Sequence, residues 1–225
     1  MNKLSKRLKI VADYVDDNSK VIDIGCDHGL LSIYLVNNKK NIKVIASDIN
    51  DNALSSARSN IKEYKLEDKI DIRLGKGLEV VSPEEIDTIV IAGMGSNTIV
   101  GILKYAKDKL KYVDNIIIQS NTDLYFLRKS ITRLGYYIED ETLVEDKNII
   151  YTVIKFKRGR KRYSYKELYL GPILMNKRGK LFTKKYGKEL KTLEMILKNI
   201  TKGHYLYKMR IKRNIKIISE TINLC

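Results

Sequence analysis

The stretch that most constrains this chain runs from Lys20 to Ser32 and reads KVIDIGCDHGLLS. Val21, Ile22 and Ile24 form a short apolar run rich in β-branched residues, the pattern of a strand buried on both faces. Gly25 breaks it. Leu30, Leu31, Ile33, Tyr34 and Leu35 then begin a helical apolar cluster. The stretch therefore reads strand, tight glycine turn, helix. Such a turn lets the backbone approach a ligand, and the helix presents its first N–H groups to it. A fold of this kind calls for a second acidic residue at the end of the next strand, placed to hold ribose hydroxyls. Lys43 to Ala46 reads as that strand and ends at Ser47-Asp48. Asp48 follows Asp23 by 25 residues, close to the ~20-residue spacing measured from the glycine turn in dinucleotide folds.

The loop is not the dinucleotide fingerprint GxGxxG. It reads DIGCDHG, with Cys26 and Asp27 where further glycines would sit. Asp23 and Asp27 would repel an anionic pyrophosphate. They would attract a sulfonium cation that carries an ammonium group. The sign of the charge thus favours S-adenosylmethionine (AdoMet) over a nicotinamide dinucleotide, and an acidic residue two before the first glycine is how many AdoMet methyltransferases begin this loop. A plain α/β domain with a glycine turn is the alternative.

The 225 residues suit one full α/β domain with a small appendage. No apolar run approaches the ~20 residues needed to span a bilayer, and the N-terminus has neither a long apolar region nor a small-residue cleavage site, so no signal peptide is expected. The cysteines are Cys26 and Cys225. One lies in the ligand loop and the other ends the chain, which argues against a structural disulfide and a cysteine-rich zinc site. No metal is expected, and a reducing cytoplasm is the natural compartment. Charge is unevenly placed. Residues 1–154 carry 22 Lys/Arg and 23 Asp/Glu, whereas residues 155–225 carry 21 Lys/Arg and 4 Asp/Glu. A near-neutral domain with a strongly basic tail piece points to a polyanionic partner, most simply nucleic acid. A solvated cationic face is the bland alternative. A membrane surface fits less well, because no segment joins the charge to a broad apolar face.

Ser5 to Val15 reads as an amphipathic helix on the stripe Leu4, Leu8, Val11, Ala12 and Val15. Arg7 and Lys9 fall off that stripe, toward solvent or a substrate backbone, and solvent is the favoured reading. Asn50 can cap a helix through Tyr64. Ile70 to Leu74 alternates as a third strand and runs into Gly75-Lys76-Gly77, where an adenine ring could lie and Leu78 could cover one face of it. Thr88 to Ala92 is a fourth strand, followed by Gly93-Met94-Gly95. Ser96 is a candidate N-cap for the next helix. Asn115 to Ile118 is a fifth strand ending in Gln119-Ser120-Asn121, amides that can read base edges or cap the helix over 122–134. Two further strands, Tyr136 to Val144 and Asn148 to Phe156, close the domain. The alternation predicts a doubly wound sheet with its ligands at the carboxyl ends of the strands.

Lys157 to Lys166, KRGRKRYSYK, is a basic connector with Gly159 as a hinge. Gly171-Pro172 breaks the helix begun at Tyr165. Phe182, Tyr186, Leu190, Leu193, Leu197 and Ile200 then follow at helical spacing. After a turn at Gly203-His204 so do Tyr207, Ile211, Ile215, Ile218 and Ile222. Two near-heptad stripes predict an antiparallel helical hairpin with the positive charges outside.

At this point the sequence resembles the bacterial tRNA methyltransferases that modify N1 of the adenine at position 22, in the D-loop region. The stretches that carry the resemblance are SKRLKIVADYV from Ser5, VIDIGCDHGLLSIYLV from Val21, RLGKGLEV from Arg73, VIAGMGSNTIVGIL from Val90, IIIQSN from Ile116 and ELYLGPIL from Glu167. They keep the family's order and span nearly the whole chain. The resemblance implies a Rossmann-like class I methyltransferase domain over 1–158, a coiled-coil domain for tRNA over 159–225, AdoMet as cofactor and S-adenosylhomocysteine as its product. Two residues depart from the family pattern. Lys76 stands where an Asp is usual, which removes an acceptor for the adenine amino group. Ser120 stands where a Pro is usual, which predicts a looser loop.

The candidate cofactor residues are Asp23, Gly25, Cys26, His28, Asp48 and Ile49 around the first two strands, with Gly75, Lys76, Gly77, Gly93 and Met94 after the third and fourth. Candidate tRNA contacts are Arg7, Lys157, Arg158, Arg160, Lys161 and Arg162. Adenine N1 holds a lone pair at neutral pH, so alignment with the methyl group matters more than a strong base. Methylation leaves positive charge on the ring, which a carboxylate would stabilise. Asp27 is the candidate for that role, or alternatively for fixing the AdoMet ammonium. His28 suits positioning better than base chemistry. Asn121 is the candidate reader of the base, which must be unpaired or extruded to be reached. A monomer is expected. Competing readings are a non-catalytic RNA-binding protein with a degenerate Rossmann domain, a methyltransferase of another RNA, and a methyltransferase of protein or a small molecule. A dehydrogenase comes last.

Overall fold

In the computed structural model, which describes residues 4–200 and 204–222, the chain divides into two compact units, residues 1–162 and 163–225. The expected boundary lay at 158/159. The last strand of the first unit runs to Arg158.

The first unit is built on the apolar runs read above. They form β1 (Lys20–Ile24), β2 (Lys43–Asp48), β3 (Ile70–Leu74), β4 (Thr88–Met94), β5 (Asn115–Ser120), β6 (Tyr136–Asp146) and β7 (Ile149–Arg158). The strand order is β3-β2-β1-β4-β5-β7-β6. The first five are parallel, and β7 returns antiparallel to both β5 and β6. This is a Rossmann-like doubly wound sheet whose order reverses between β1 and β4, the place where such sheets leave a crevice for ligands.

Helices α1 (Lys6–Asp13), α2 (Leu30–Asn38), α3 (Asp51–Glu63), α4 (Ser96–Tyr105) and α5 (Leu124–Arg133) connect and cover the strands. Ser5 caps α1 through the N–H of Leu8, and Asn50 caps α3 through the N–H of Asn52. One face of the sheet packs Val21, Val44, Ala46 and Ile70 against Val11, Leu31, Leu35, Leu54, Ala57 and Ile61 from α1, α2 and α3. No α-helix joins β3 to β4. Arg73 holds that connection instead, through Asp71 (2.6 Å), the Val80 carbonyl (2.7 Å) and Glu85 (2.5 Å). Lys109 adds bonds to the carbonyls of Leu78 and Val81.

Two expected caps fall elsewhere. Gly95, not Ser96, occupies the N-cap of α4, and Asp123 caps α5 through the N–H of Phe126. The Ser96 hydroxyl is 2.9 Å from that of Ser120 and donates to the carbonyls of Thr122 and Asp123. Ser120 also reaches the Met94 carbonyl at 3.2 Å. Side chain by side chain, the loop after β5 is tied to β4 and α4, so serine in place of proline does not loosen it.

The second unit holds α6 (Tyr165–Leu170), α7 (Pro172–Lys177), α8 (Lys180–Asn199) and α9 (Tyr205–Ile222). Ser164 and Glu167 form a capping box on α6, and Pro172 opens α7 after Gly171. The long helices α8 and α9 pack on each other, with Phe182, Tyr186, Ile211 and Ile218 buried. Tyr207, read as part of the stripe, is instead 42% exposed, beside exposed Leu206 and Met209.

Candidate active site

Backbone geometry makes the site. Gly25 has φ +76°, and a Cβ there would come 2.4 Å from the terminal methyl of Met94. Glycine is therefore demanded both by the left-handed turn and by the packing of β4 over it. The N–H groups of Gly25 and Cys26 both donate to the Ser47 carbonyl, which ties the loop to β2. Asp27 follows with φ +50°, an uncommon conformation for a residue with a side chain. Its N–H donates to Asp48 Oδ2 at 3.4 Å, while Asp48 Oδ1 accepts from Asn50 N–H at 3.0 Å. Asp48 keeps lone pairs for further donors, as a ribose clamp needs.

Asp23 is 3% exposed and accepts from the Ser32 hydroxyl at 2.8 Å. Burial pushes its carboxyl up to about 6, opposed by the Ser32 bond and aided by Asp48. Burial also pushes the Cys26 thiol up, with Asp23 and Asp48 adding to the effect, so Cys26 is a neutral wall residue. His28 Nε2 lies 3.6 Å from Asp27 Oδ2, and the His28 carbonyl accepts from Asn60 at 2.8 Å. Ser32 and Asn60 escaped the sequence reading. Ser32 lies inside the quoted motif at a helical position, whereas Asn60 comes from a helix 32 residues on and left no local signal.

A cavity of about 280 Å³ opens between these elements, lined by Arg7, Asp23, Gly25, Cys26, Asp27, His28, Ala92 and Gly93, among others. It joins the ends of β1 and β4 at the reversal of strand order. Two carboxyl groups line it, and a cationic ligand suits them. Ile49, 72% exposed just past Asp48, is an apolar side chain free to lie on a ring. Leu78, proposed as a ring cover, is 1% exposed and belongs to the core. Cβ atoms at Gly75 and Gly77 would strike Val80 at 2.3 Å and Ile102 at 2.7 Å. Those two glycines are required by the packing of the chain on itself. Lys76 and Gly77 line a separate cavity of about 300 Å³ with Thr98, Gly101, Ile102 and Tyr105. A larger groove of about 790 Å³ runs along β2 and β3. None of the glycine turns lines it and its charges are mixed, so it does not compete as the site.

Arg7 corrects the expectation that it faces solvent. Its Nη1 donates to Gln119 Oε1, its guanidinium lies 5.4 Å from the Tyr151 ring, and its N–H meets Asp146 at 3.3 Å. Gln119 Nε2 donates to Asn121 Oδ1 at 2.9 Å, and Asn121 Nδ2 to the Gly93 carbonyl at 2.7 Å. Two of the basic connector residues are also spent within the first unit. Lys157 pairs with Glu139 at 3.3 Å. Arg158 pairs with Asp114 at 3.4 Å and donates to the carbonyls of Leu110 and Val113. Arg160, Lys161 and Arg162 are exposed. Among the described residues no cluster of three metal-ligating side chains occurs.

Comparison with known proteins adds the following. Residues 21–224 match the family model described as TrmK: tRNA (adenine(22)-N(1))-methyltransferase. The chain is 34% identical over 207 residues to the tRNA (adenine(22)-N(1))-methyltransferase of Bacillus subtilis (strain 168), covering 89% of this chain and 87% of that one. Among solved structures it is similar to a Streptococcus pneumoniae protein in complex with S-adenosyl-L-methionine, with a TM-score of 0.89, 30% identity and 98% and 100% coverage. It is also similar to M. capricolum TrmK in complex with S-adenosyl-homocysteine, with a TM-score of 0.84, 29% identity and 98% coverage of both chains.

Proposed function

The chain belongs to the tRNA (adenine(22)-N(1))-methyltransferase family, and from that premise we infer that it transfers the methyl group of AdoMet to N1 of adenine 22 in the D-arm of tRNA. The observation that carries the reading is the cavity at the β1–β4 reversal, with Asp23 and Asp27 on its wall. Bound there, the cofactor supplies a methyl group already activated by its sulfonium.

The residues divide the rest of the work. Asp48 holds the ribose hydroxyls, Ile49 covers the cofactor adenine, and Asp23 attracts the ammonium end. Asn121 reads the edge of the target base. The lone pair of N1 forms the new N–C bond as the S–C bond breaks, leaving S-adenosylhomocysteine and a cationic ring. Asp27 faces that developing charge and lowers the barrier through an interaction that is stronger in the transition state than before it. The exposed cations Arg160, Lys161 and Arg162, together with the basic helices that follow, hold the tRNA backbone, which needs positive charge more than exact geometry. Residues 1–158 thus carry the transfer and 159–225 the tRNA. We read the active unit as a monomer working in the cytoplasm, where its substrate is.

The test is nucleoside mass spectrometry on a tRNA transcript incubated with enzyme and AdoMet. 1-Methyladenosine is expected, and it should vanish when adenine 22 is replaced by guanine. Equal methylation of both transcripts, or a methylated pyrimidine, would sink the reading. A protein that binds tRNA but not AdoMet would be the non-catalytic alternative.

A further inference from the structure

Four groups near the cavity form one unbroken hydrogen-bonded line. Arg7 Nη1 donates to Gln119 Oε1, Gln119 Nε2 to Asn121 Oδ1, and Asn121 Nδ2 to the carbonyl of Gly93. The line has a direction. Its first member has donors only and its last has acceptors only. Gln119 is 0% exposed, so no bulk water can satisfy a reversed amide there. Turning Gln119 alone would set its NH2 against the guanidinium and its oxygen against Asn121 Oδ1. Turning Asn121 alone would set NH2 against NH2 and oxygen against the Gly93 carbonyl. The two amides can reverse only together, and the groups at both ends, the Arg7 guanidinium and the Gly93 carbonyl, oppose it.

Each end of the line is held in place by the fold. Arg7 sits in the first turn of α1, its N–H on Asp146 and its guanidinium over Tyr151, residues flanking the β6–β7 turn. Gly93 stands at a break in the β4–β5 register, between Ala92 paired with Gln119 and Met94 paired with Ser120, and has φ +88°. A bulge there frees its carbonyl for a side chain. Gly93 also lines the cavity, so the bonded Nδ2 of Asn121 is held against a residue of its wall.

We propose that Arg7 is a positioning residue that acts through Gln119 to fix the amide polarity of Asn121, and with it the hydrogen-bond pattern offered to the target base. This rests on the reading of Asn121 as the base contact. Arg7 in this role is not a phosphate ligand. Asn121 retains one N–H and one lone pair after its internal bonds, and the line decides which corner carries which. A base that matches this pattern is held in line with the methyl group. One that needs the opposite pattern is held badly or not at all.

The decisive variant is Gln119→Glu. It preserves size and strengthens the bond to Arg7, but its second oxygen is an acceptor, so Asn121 is caught between two acceptors and must either lose its bond to residue 119 or turn its oxygen against the Gly93 carbonyl. A merely structural role predicts a less stable but fully active enzyme. The proposal predicts a folded protein with parental AdoMet affinity, with kcat lower by about a hundredfold and weaker preference for adenine over guanine at position 22. Arg7→Lys keeps a donor-only group and should retain far more activity than Arg7→Met. Gln119→Glu with parental kcat, or Arg7→Lys no better than Arg7→Met, overturns the proposal while Asn121→Ala is impaired. Asn121→Ala with parental kcat overturns the base-contact reading, and the proposal with it.

Discussion

The two units of the chain use their polar residues differently, as the division of work proposed above requires. In the first unit nearly every polar group around the cavity is spoken for. Asp48 accepts two backbone N–H groups, Asp23 holds Ser32, and Asn121 is bonded at both ends. In the second unit the long helices bury a narrow seam and leave Lys208, Arg210 and Lys212 exposed, beside an exposed Tyr207 that Arg210 overlies at 5.3 Å. A small cation that must be aligned for in-line transfer needs a preorganised pocket. A polyanion needs charge spread over a long surface. The contrast predicts that single substitutions break the first unit's work, while the second unit's work erodes residue by residue.

The sharpest break is Asp27→Ala. If its carboxylate meets charge that develops only in the transition state, kcat should fall about 10²–10³-fold with tRNA and AdoMet affinities nearly kept. Steady-state kinetics with both substrates titrated would decide it. A loss confined to the AdoMet KM would reassign Asp27 to the ammonium.

Next comes Asp48→Ala. Charge-assisted bonds to ribose are worth about 1.5–3 kcal/mol, so AdoMet affinity by calorimetry should weaken about tenfold to a hundredfold. Because Asp48 also orders the Asp27 N–H, some loss of kcat should accompany it. Unchanged affinity would remove Asp48 from the site.

A smaller effect is expected in the second unit. Replacing Lys208, Arg210 and Lys212 with alanine should reduce tRNA affinity about tenfold and flatten the log–log salt dependence by roughly 0.7 for each phosphate no longer neutralised, with AdoMet binding unmoved. A salt slope equal to that of the parent would show that these cations do not touch the backbone.

What was legible in the sequence follows the same division. The glycine turn at Gly25, the acidic end of β2 at Asp48 and the strand ends at Gly93 and Asn121 could be read because each depends on its own few neighbours. Arg7 could not. Helical periodicity places it off the apolar stripe of α1, yet its partners Gln119, Asp146 and Tyr151 arrive from strands more than a hundred residues later. Arg158 misled for the same reason. In sequence it belongs to a basic run, and in the fold it is held by Asp114 and two carbonyls at the far end of a longer β7. Ser96 and Ser120 had the right chemistry for a cap and for a loose loop, but each found the other. The glycines at 75 and 77 looked open to a ligand, and it is Val80 and Ile102 that fill the space. Local pattern placed the turns and strand ends, and long-range packing decided how their side chains are bonded.

The smallest effect should be one of pH, and it tests whether Asp23 serves the cofactor. Burial holds the Asp23 carboxyl at about 6 in the free protein, above the ordinary aspartate range. In an unfolded chain the group is ionised above about 4. Between that value and 6 the folded chain therefore keeps a proton that the unfolded chain has released, so Asp23 by itself favours folding as pH falls through 6 and opposes it above. Binding of a cation runs the other way. It favours the ionised carboxylate, which prevails above about 6, so AdoMet affinity should be level from about pH 8 to 7 and weaken as pH falls through 6. By about pH 5, one unit below that value, the loss should approach tenfold, and it steepens to at most tenfold per pH unit for a single proton. Calorimetry at that pH in two buffers of different ionisation enthalpy should also show proton release on binding. Asp23→Asn should bind more weakly at neutral pH and lose the dependence in acid. If the parent protein binds AdoMet equally at about pH 5 and pH 7, the buried carboxyl belongs to the packing around Ser32 and not to the cofactor.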